Sequence, residues 1–295
     1  MKTTLNTFRL KIESPLDILI HKINKIVLGI EKADTLKWAR HIQYIRKRYF
    51  EDGIWNFNGV KLPEYLPEPT GWLMYAIYMD TLFVYCNHND NYSSSLIDKL
   101  DNYLPEGTYG YKNNEIDVTV KEGDIVIDAG AWIGDFSAYA SVKGAEVYAF
   151  EPYAESIGYL KKTQKLNPNI QIIEKGLSNR KGQTYMSVNR SNPGGNHLCK
   201  KNNHSEKVEI TSLDKFVKEN NIDRINFIKA DIEGHERFML MGAKNVLKNF
   251  APNLAICTYH LPDDPQVIAK IIKESNPNYR IVQKRKKLYA MAIEN

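Results

Sequence analysis

Cysteine is scarce in this chain of 295 residues: Cys86, Cys199 and Cys257 are odd in number, far apart, and outside any CxxC or Cys/His spacing. That excludes a disulfide-stapled secreted scaffold and a cysteine-type zinc site, and leads us to expect thiols in a reducing compartment. Long apolar runs are missing too. The nearest candidate, Gly71 to Cys86 (GWLMYAIYMDTLFVYC), is short and carries Asp80 in its middle, so a buried helix is expected and no membrane span. The opening residues MKTTLNTFRLKIESP lack the apolar core of a signal peptide, which makes the cytoplasm the expected address. An excess of one charge is also absent, since 40 Lys and Arg face 35 Asp and Glu for a net charge of +5. The cations do not gather on one element, which disfavours a nucleic-acid partner. Of the two densest clusters, Arg40 to Arg48 (RHIQYIRKR) has helical spacing and reads as a solvated face, with a phosphate-binding surface as the alternative. The other, Gln283 to Lys287 (QKRKK), lies between apolar runs and reads as an exposed hairpin turn.

What is present is a globular composition, 43% hydrophobic and 25% charged, with length for one large domain and an extension. Residues 1 to about 50 carry apolar residues at three- and four-residue steps (Ile12, Leu16, Leu19, Ile23, Ile26, Ile30), as helices do. Prolines at 63, 67 and 69 break the pattern, and nothing up to Leu104 carries a catalytic motif. We read residues 1–104 as a helical N-terminal region that covers the later domain and supplies acceptor specificity.

From Gly107 short apolar runs alternate with amphipathic segments. Strands are expected at 124–127, 146–150, 170–173, 208–210, 226–228 and 254–258, with helices over 136–142, 154–166, 213–220 and 237–247 between them. Residues 279–283 and 288–293 read as a closing hairpin. Alternation of this kind gives an α/β fold: a mostly parallel Rossmann-like sheet covered on both faces, with a terminal antiparallel hairpin strand.

Three segments carry the chemistry. In Ile125 to Gly134 (IVIDAGAWIG) a buried strand ends at Asp128 and a glycine turn opens a helix. Gly130 permits the turn, Gly134 permits close approach of ligand or helix, and N–H groups at the helix start suit an anion. A dinucleotide fingerprint would put its second glycine at 132, where Trp132 stands. The Gly-x-x-x-Gly spacing suits S-adenosylmethionine better than NAD. Second, Glu151 ends the next strand in EVYAFEP, where a carboxylate can accept from both ribose hydroxyls, or be a plain surface acid. Gly176 and Leu177, after the third strand, sit where an adenine edge would be met. Third, Lys229 to Glu236 (KADIEGHE) clusters Asp231, Glu233, His235 and Glu236 at a strand end, as general bases or as caps of the following helix.

In order and with compatible gaps, IVIDAGAWIGDFS, VYAFEP, TSLDKF, IKADIEGHE and YHLPDD resemble the FkbM family of S-adenosylmethionine-dependent methyltransferases over about residues 105–295. The resemblance implies a class I methyltransferase domain and O-methylation of a hydroxyl on a glycan or small natural product. By match, Asp128, Gly130, Ala131, Trp132, Gly134 and Glu151 form the donor-binding set, with Gly176 and Leu177 at the base and Asp231 lining the site. Trp132 departs from the asparagine common in that turn. His260, after the fifth strand, is the first candidate for general base because an ordinary imidazole accepts a proton near neutral pH. His235 and Asp231 follow it. Asn196 and His197 stand on a glycine-rich loop that either closes over the acceptor or is plain surface. Asp231, Glu233 and His260 are also of metal-ligating type, but no compact ligand motif supports a metal, and none is assigned. The rival readings are an NAD-linked oxidoreductase and a non-catalytic S-adenosylmethionine-binding module. Oligomeric state is not legible.

Overall fold

The structure, a computed structural model, describes residues 47, 49–57, 59–64, 109–188 and 195–293. The expected helices over residues 1–46, the basic run at Arg40, the Gly71–Cys86 segment and Cys86 lie outside the described residues. By internal contacts the chain forms two units, Met1–Asn56 with Glu64–Tyr78, and Phe57–Pro63 with Met79–Asn295. In the first unit, strands β1 (Phe50–Glu51) and β2 (Ile54–Phe57) pair antiparallel, Phe50 opposite Trp55. Asp52 and Gly53 between them both have positive φ, the requirement of a two-residue hairpin turn. Lys47 and Tyr49, at the end of the expected helical stretch, are helical, and the hairpin begins directly after them.

The second unit opens with β3 (Val60–Pro63) and continues with the short pair β4 (Tyr111–Lys112) and β5 (Asp117–Val118). The α/β part then runs β6 (Ile125–Ala129), α1 (Asp135–Val142), β7 (Glu146–Phe150), α2 (Ala154–Leu166), β8 (Ile170–Ile173) and β9 (Gly176–Leu177). It goes on through β10 (Gly182–Ser187), β11 (His197–Cys199), β12 (Ser205–Thr211), α3 (Leu213–Glu219), β13 (Phe227–Ala230), α4 (Glu236–Met241) and α5 (Lys244–Asn249). It closes with β14 (Asn253–Cys257), α6 (Asp264–Ser275), β15 (Tyr279–Lys284) and β16 (Lys287–Ala292).

Seven strands form one sheet in the order β15-β16-β14-β13-β6-β7-β8, parallel except that β16 runs antiparallel to both its neighbours. The central strands β6 and β13 are buried at every residue, which is why they read as apolar runs interrupted only by Asp128 and Lys229. From β6 the chain steps to β7 and β8 on one side, and the later strands fill the other. The connections thus leave β6 and β13 in opposite directions, and a crevice opens beyond their carboxyl ends. A second sheet, β11-β10-β12-β9, stands beside it and was expected only at β12. Its other strands are polar on one face and carry no strong apolar run.

Helix 237–247 is two helices. A Cβ on Gly242 would lie 2.1 Å from the Ser178 carbonyl oxygen, so the chain turns at Gly242 and Ala243 to let that backbone pass. Helix α6 was not foreseen, although Pro265 in its first turn and the buried Ile268, Ile271 and Ile272 are helix signals. The basic turn is exposed only in part. Arg285 takes the positive φ at the tip, while Lys287 is buried with its ammonium 4.3 Å from the Tyr109 ring centre. Cys199 and Cys257 are free thiols, and no helix among the described residues is long and apolar enough to cross a membrane.

Candidate active site

Strand register assembles the site. Ala129 pairs with Phe150 on one side and with Ala230 on the other, so the next residues, Gly130, Glu151 and Asp231, leave the sheet at one level. Gly130 has φ +76, and a Cβ there would sit 2.0 Å from the Asp231 carbonyl oxygen. Only glycine lets the two strand ends touch. They bound a cleft of about 570 Å³ lined also by Trp132, Gly176, Leu177, Asn196, Ile232 and His235.

Glu151 is anchored by main-chain donors, with the Trp132 N–H donating to Oε2 and the Tyr153 N–H to Oε1, both at 2.9 Å. Burial pushes its pKa up to about 7, against the pull of those two N–H groups and of Lys229. Each carboxylate oxygen keeps a lone pair for a further donor. The other N–H groups of the turn are committed: Gly130 and Ala131 donate to the Phe150 carbonyl at 3.1 and 3.0 Å. Asp135 supplies its own carboxylate to the first turn of α1. The expected anion site at this helix start is therefore already filled from within the chain.

Of the remaining donor-set residues, Asp128, Ala131 and Gly134 do not line the cleft. Asp128 is wholly buried, paired with the Lys229 ammonium at 3.0 Å and accepting from the Ser137 hydroxyl at 2.6 Å. The Lys229 ammonium also donates to the Gly130 carbonyl at 2.7 Å, so the pair clamps the glycine turn. Burial alone would lower the Lys229 pKa, but Asp128, Asp231 and Asp135 hold it above the ordinary lysine value. Gly134 serves packing: a Cβ there would lie 2.6 Å from Leu160 of α2.

Asp231 accepts from the Tyr109 hydroxyl at 2.5 Å and the Tyr259 hydroxyl at 3.3 Å. Burial would raise its pKa, but Lys229, Lys287 and the Tyr109 hydroxyl hold it below the usual carboxylate value. His260 lies outside the cleft lining, with Nε2 3.6 Å from Asp231 and 3.4 Å from Glu233, and Nδ1 3.2 Å from Glu236. Burial alone would lower its pKa, yet these carboxylates push it up to about 10. In this environment it is an imidazolium at neutral pH and has no lone pair to act as base. His235 is the opposite case: burial lowers it to about 4, so it is neutral, and its Nε2 is 2.9 Å from the Ser178 hydroxyl. The Ile232 N–H donates to Glu236 Oε1 at 2.9 Å, which ties the preceding loop, and not an N–H of α4 itself, to this carboxylate. Asn196 is on the cleft wall, while His197 is exposed. Sequence reasoning missed Tyr109, Tyr259, Lys229 and Lys287. Only Lys229 had a signal, since a lysine inside an apolar central strand requires a buried partner.

With this geometry in hand, comparison with known proteins is direct. Residues 128–281 match the model of the methyltransferase FkbM domain. The chain belongs to the FkbM methyltransferase family. Its cofactor is S-adenosylmethionine, and its sheet order is that of a class I methyltransferase. Hexuronic acid methyltransferase AglP of Haloferax volcanii is 28% identical to this FkbM protein over 164 residues, 55% of this chain and 67% of AglP. A solved FkbM methyltransferase from Methylobacillus flagellatus KT is 17% identical with a TM-score of 0.46, and the match covers 88% of this chain and 60% of that one. A Streptococcus mutans protein solved in complex with SAH is 14% identical with a TM-score of 0.39, over 59% of this chain and 91% of that one. The FkbM protein thus spans less than two thirds of that solved Methylobacillus chain.

The residues present fit the donor. Gly130 brings main chain to the cleft floor without a side chain, and Glu151 offers a fixed acceptor for hydroxyls. Gly176 and Leu177 are paired to β12 at the far wall, where a flat ring would rest against them.

Proposed function

We propose that this FkbM methyltransferase transfers the donor methyl to a hydroxyl of a glycan, with residues 105–295 carrying the donor site. The observation that carries the reading is the alignment of Gly130, Glu151 and Asp231 at three neighbouring strand ends around one cleft. Glu151 would hold the ribose hydroxyls and Gly176 and Leu177 the adenine, while the bare main chain at Gly130 and the Trp132 side of the turn give the amino-acid end room to approach. When bound, the donor supplies an electrophilic methyl on a sulfonium. The carbon–sulfur bond breaks as the carbon–oxygen bond forms, and the acceptor's proton must leave. Asp231, ionised and at the cleft edge, takes that proton in preference to His260, which is already protonated. Most of the acceleration would come from alignment of the two reactants. A glycan acceptor is supported by AglP, which is named for methylation of hexuronic acid. The cytoplasm remains the proposed location.

The test is calorimetric titration with S-adenosylhomocysteine and with NAD, on the wild type and Glu151→Ala. Micromolar binding of S-adenosylhomocysteine that weakens in the variant supports the reading. Binding of NAD instead, or of neither, refutes it. Transfer of labelled methyl to uronic-acid glycosides over neutral sugars would then settle the acceptor class.

A further inference from the structure

Asp231, Glu236 and His260 form a cluster in which one ligand atom from each lies within 4.8 Å of the others. Acidic clusters are common without an ion, so the cluster alone decides nothing. The second observation is the state of its polar atoms. The Glu236 side chain is wholly buried and the His260 side chain only 9% exposed. The carboxylates around the ring meet it as charge partners at 3.2, 3.4 and 3.6 Å. Among the described residues, Glu236 Oε2 and both His260 ring nitrogens are buried without a hydrogen-bond partner. Burying Glu236 Oε2 unsatisfied costs about 1–3 kcal/mol. Glu236 Oε1 is occupied by the Ile232 N–H, which leaves Oε2 to turn inward, and Asp231 Oδ1 carries only the long 3.3 Å bond from the Tyr259 hydroxyl while Oδ2 takes the Tyr109 hydroxyl.

We propose that Asp231, Glu236 and His260 bind one divalent cation beside the donor cleft. Two carboxylates and an imidazole suit Mn²⁺ or Zn²⁺ rather than the all-oxygen preference of Ca²⁺, and the His260 ring releases one proton to solvent as the ion takes its place. Ligand atoms around such an ion stand about 3.0–3.4 Å apart, so modest side-chain rotation completes the site. Glu233, whose carboxylate is 3.4 Å from the ring, can orient it from outside. Three protein ligands leave coordination open for an acceptor hydroxyl, whose proton the ion would acidify. That last use rests on the methyltransferase reading, whereas the binding itself does not.

The full chain, freed of metal by chelator and dialysis, is titrated with MnCl₂ while the free Mn²⁺ signal is followed by electron paramagnetic resonance. One ion per chain is expected, displaced by Zn²⁺. Glu236→Gln should weaken it by about tenfold or more while S-adenosylhomocysteine affinity stays within about twofold. His260→Gln gives the same readout should Glu236→Gln not fold. A protein that binds S-adenosylhomocysteine but neither Mn²⁺ nor Zn²⁺ overturns the site, as does Mn²⁺ binding unchanged in both variants. One that binds Mn²⁺ but no S-adenosylhomocysteine keeps the ion and overturns the donor reading.

Discussion

Glu151 should make the stability of this protein fall as pH rises, opposite to the ordinary behaviour of a paired carboxylate. Its pKa is raised from 4.5 to about 7, mainly by burial. A group whose folded pKa exceeds the unfolded one contributes stability that is complete below the unfolded value and lost as pH climbs through the folded value. The window here is pH 4.5 to about 7. At ~1.4 kcal/mol per unit, full ionisation costs about 3.5 kcal/mol, of which roughly 2–3 kcal/mol falls between pH 5 and 8. Glu151→Gln removes the charge and the slope with it. It also turns an amide toward the Trp132 or Tyr153 N–H, which costs about 1–3 kcal/mol at every pH. Urea unfolding of both proteins at pH 5, 6, 7 and 8 separates the two effects. The difference between variant and wild type should move in the variant's favour by roughly 2–3 kcal/mol over that range. Parallel profiles would refute the argument, because the carboxylate would then be ionised without penalty.

Binding should titrate with the same group and the opposite sign. If ribose hydroxyls meet the ionised carboxylate, S-adenosylhomocysteine affinity should be about tenfold weaker at pH 6 than at pH 8, with calorimetry as the check. Lys229→Met strands a wholly buried Asp128, and chemical denaturation should show a loss of about 3–5 kcal/mol. Gly130→Ala must override both φ +76 and a Cβ 2.0 Å from the Asp231 carbonyl, so soluble yield or Tm should fall sharply, by more than about 2 kcal/mol of stability. Gly134→Ala meets only side-chain atoms of Leu160 and Thr163 besides its strained φ; whatever fraction folds should bind S-adenosylhomocysteine with wild-type affinity.

The parallel core was legible because strands buried on both faces must be apolar throughout, and α2, expected over 154–166, spans those residues. Motif spacing located Gly130, Glu151 and Asp231, since each follows a strand whose end the sequence marks. Legibility failed where the deciding contact is distant in sequence. Gly134 is glycine for Leu160, Gly242 for Ser178, and His260 owes its charge to Glu233, Glu236 and Asp231. A free imidazole value misleads once three carboxylates surround the ring. Tyr109, which donates to Asp231 from 122 residues away, carried no local sign of that duty. The hairpin from Phe50 was missed because a strand of two residues has no period to detect.

The order of strands also sets the order in which the sheet can be finished. β15 touches the rest of the sheet only through β16, which the ribosome delivers after it. During synthesis β14 and β15 therefore both wait with open ladders until Lys287–Ala292 emerges and slots between them. Those six residues act as a keystone: a stop codon before Lys287 would leave the apolar edge of β14 unpaired, a ready template for aggregation.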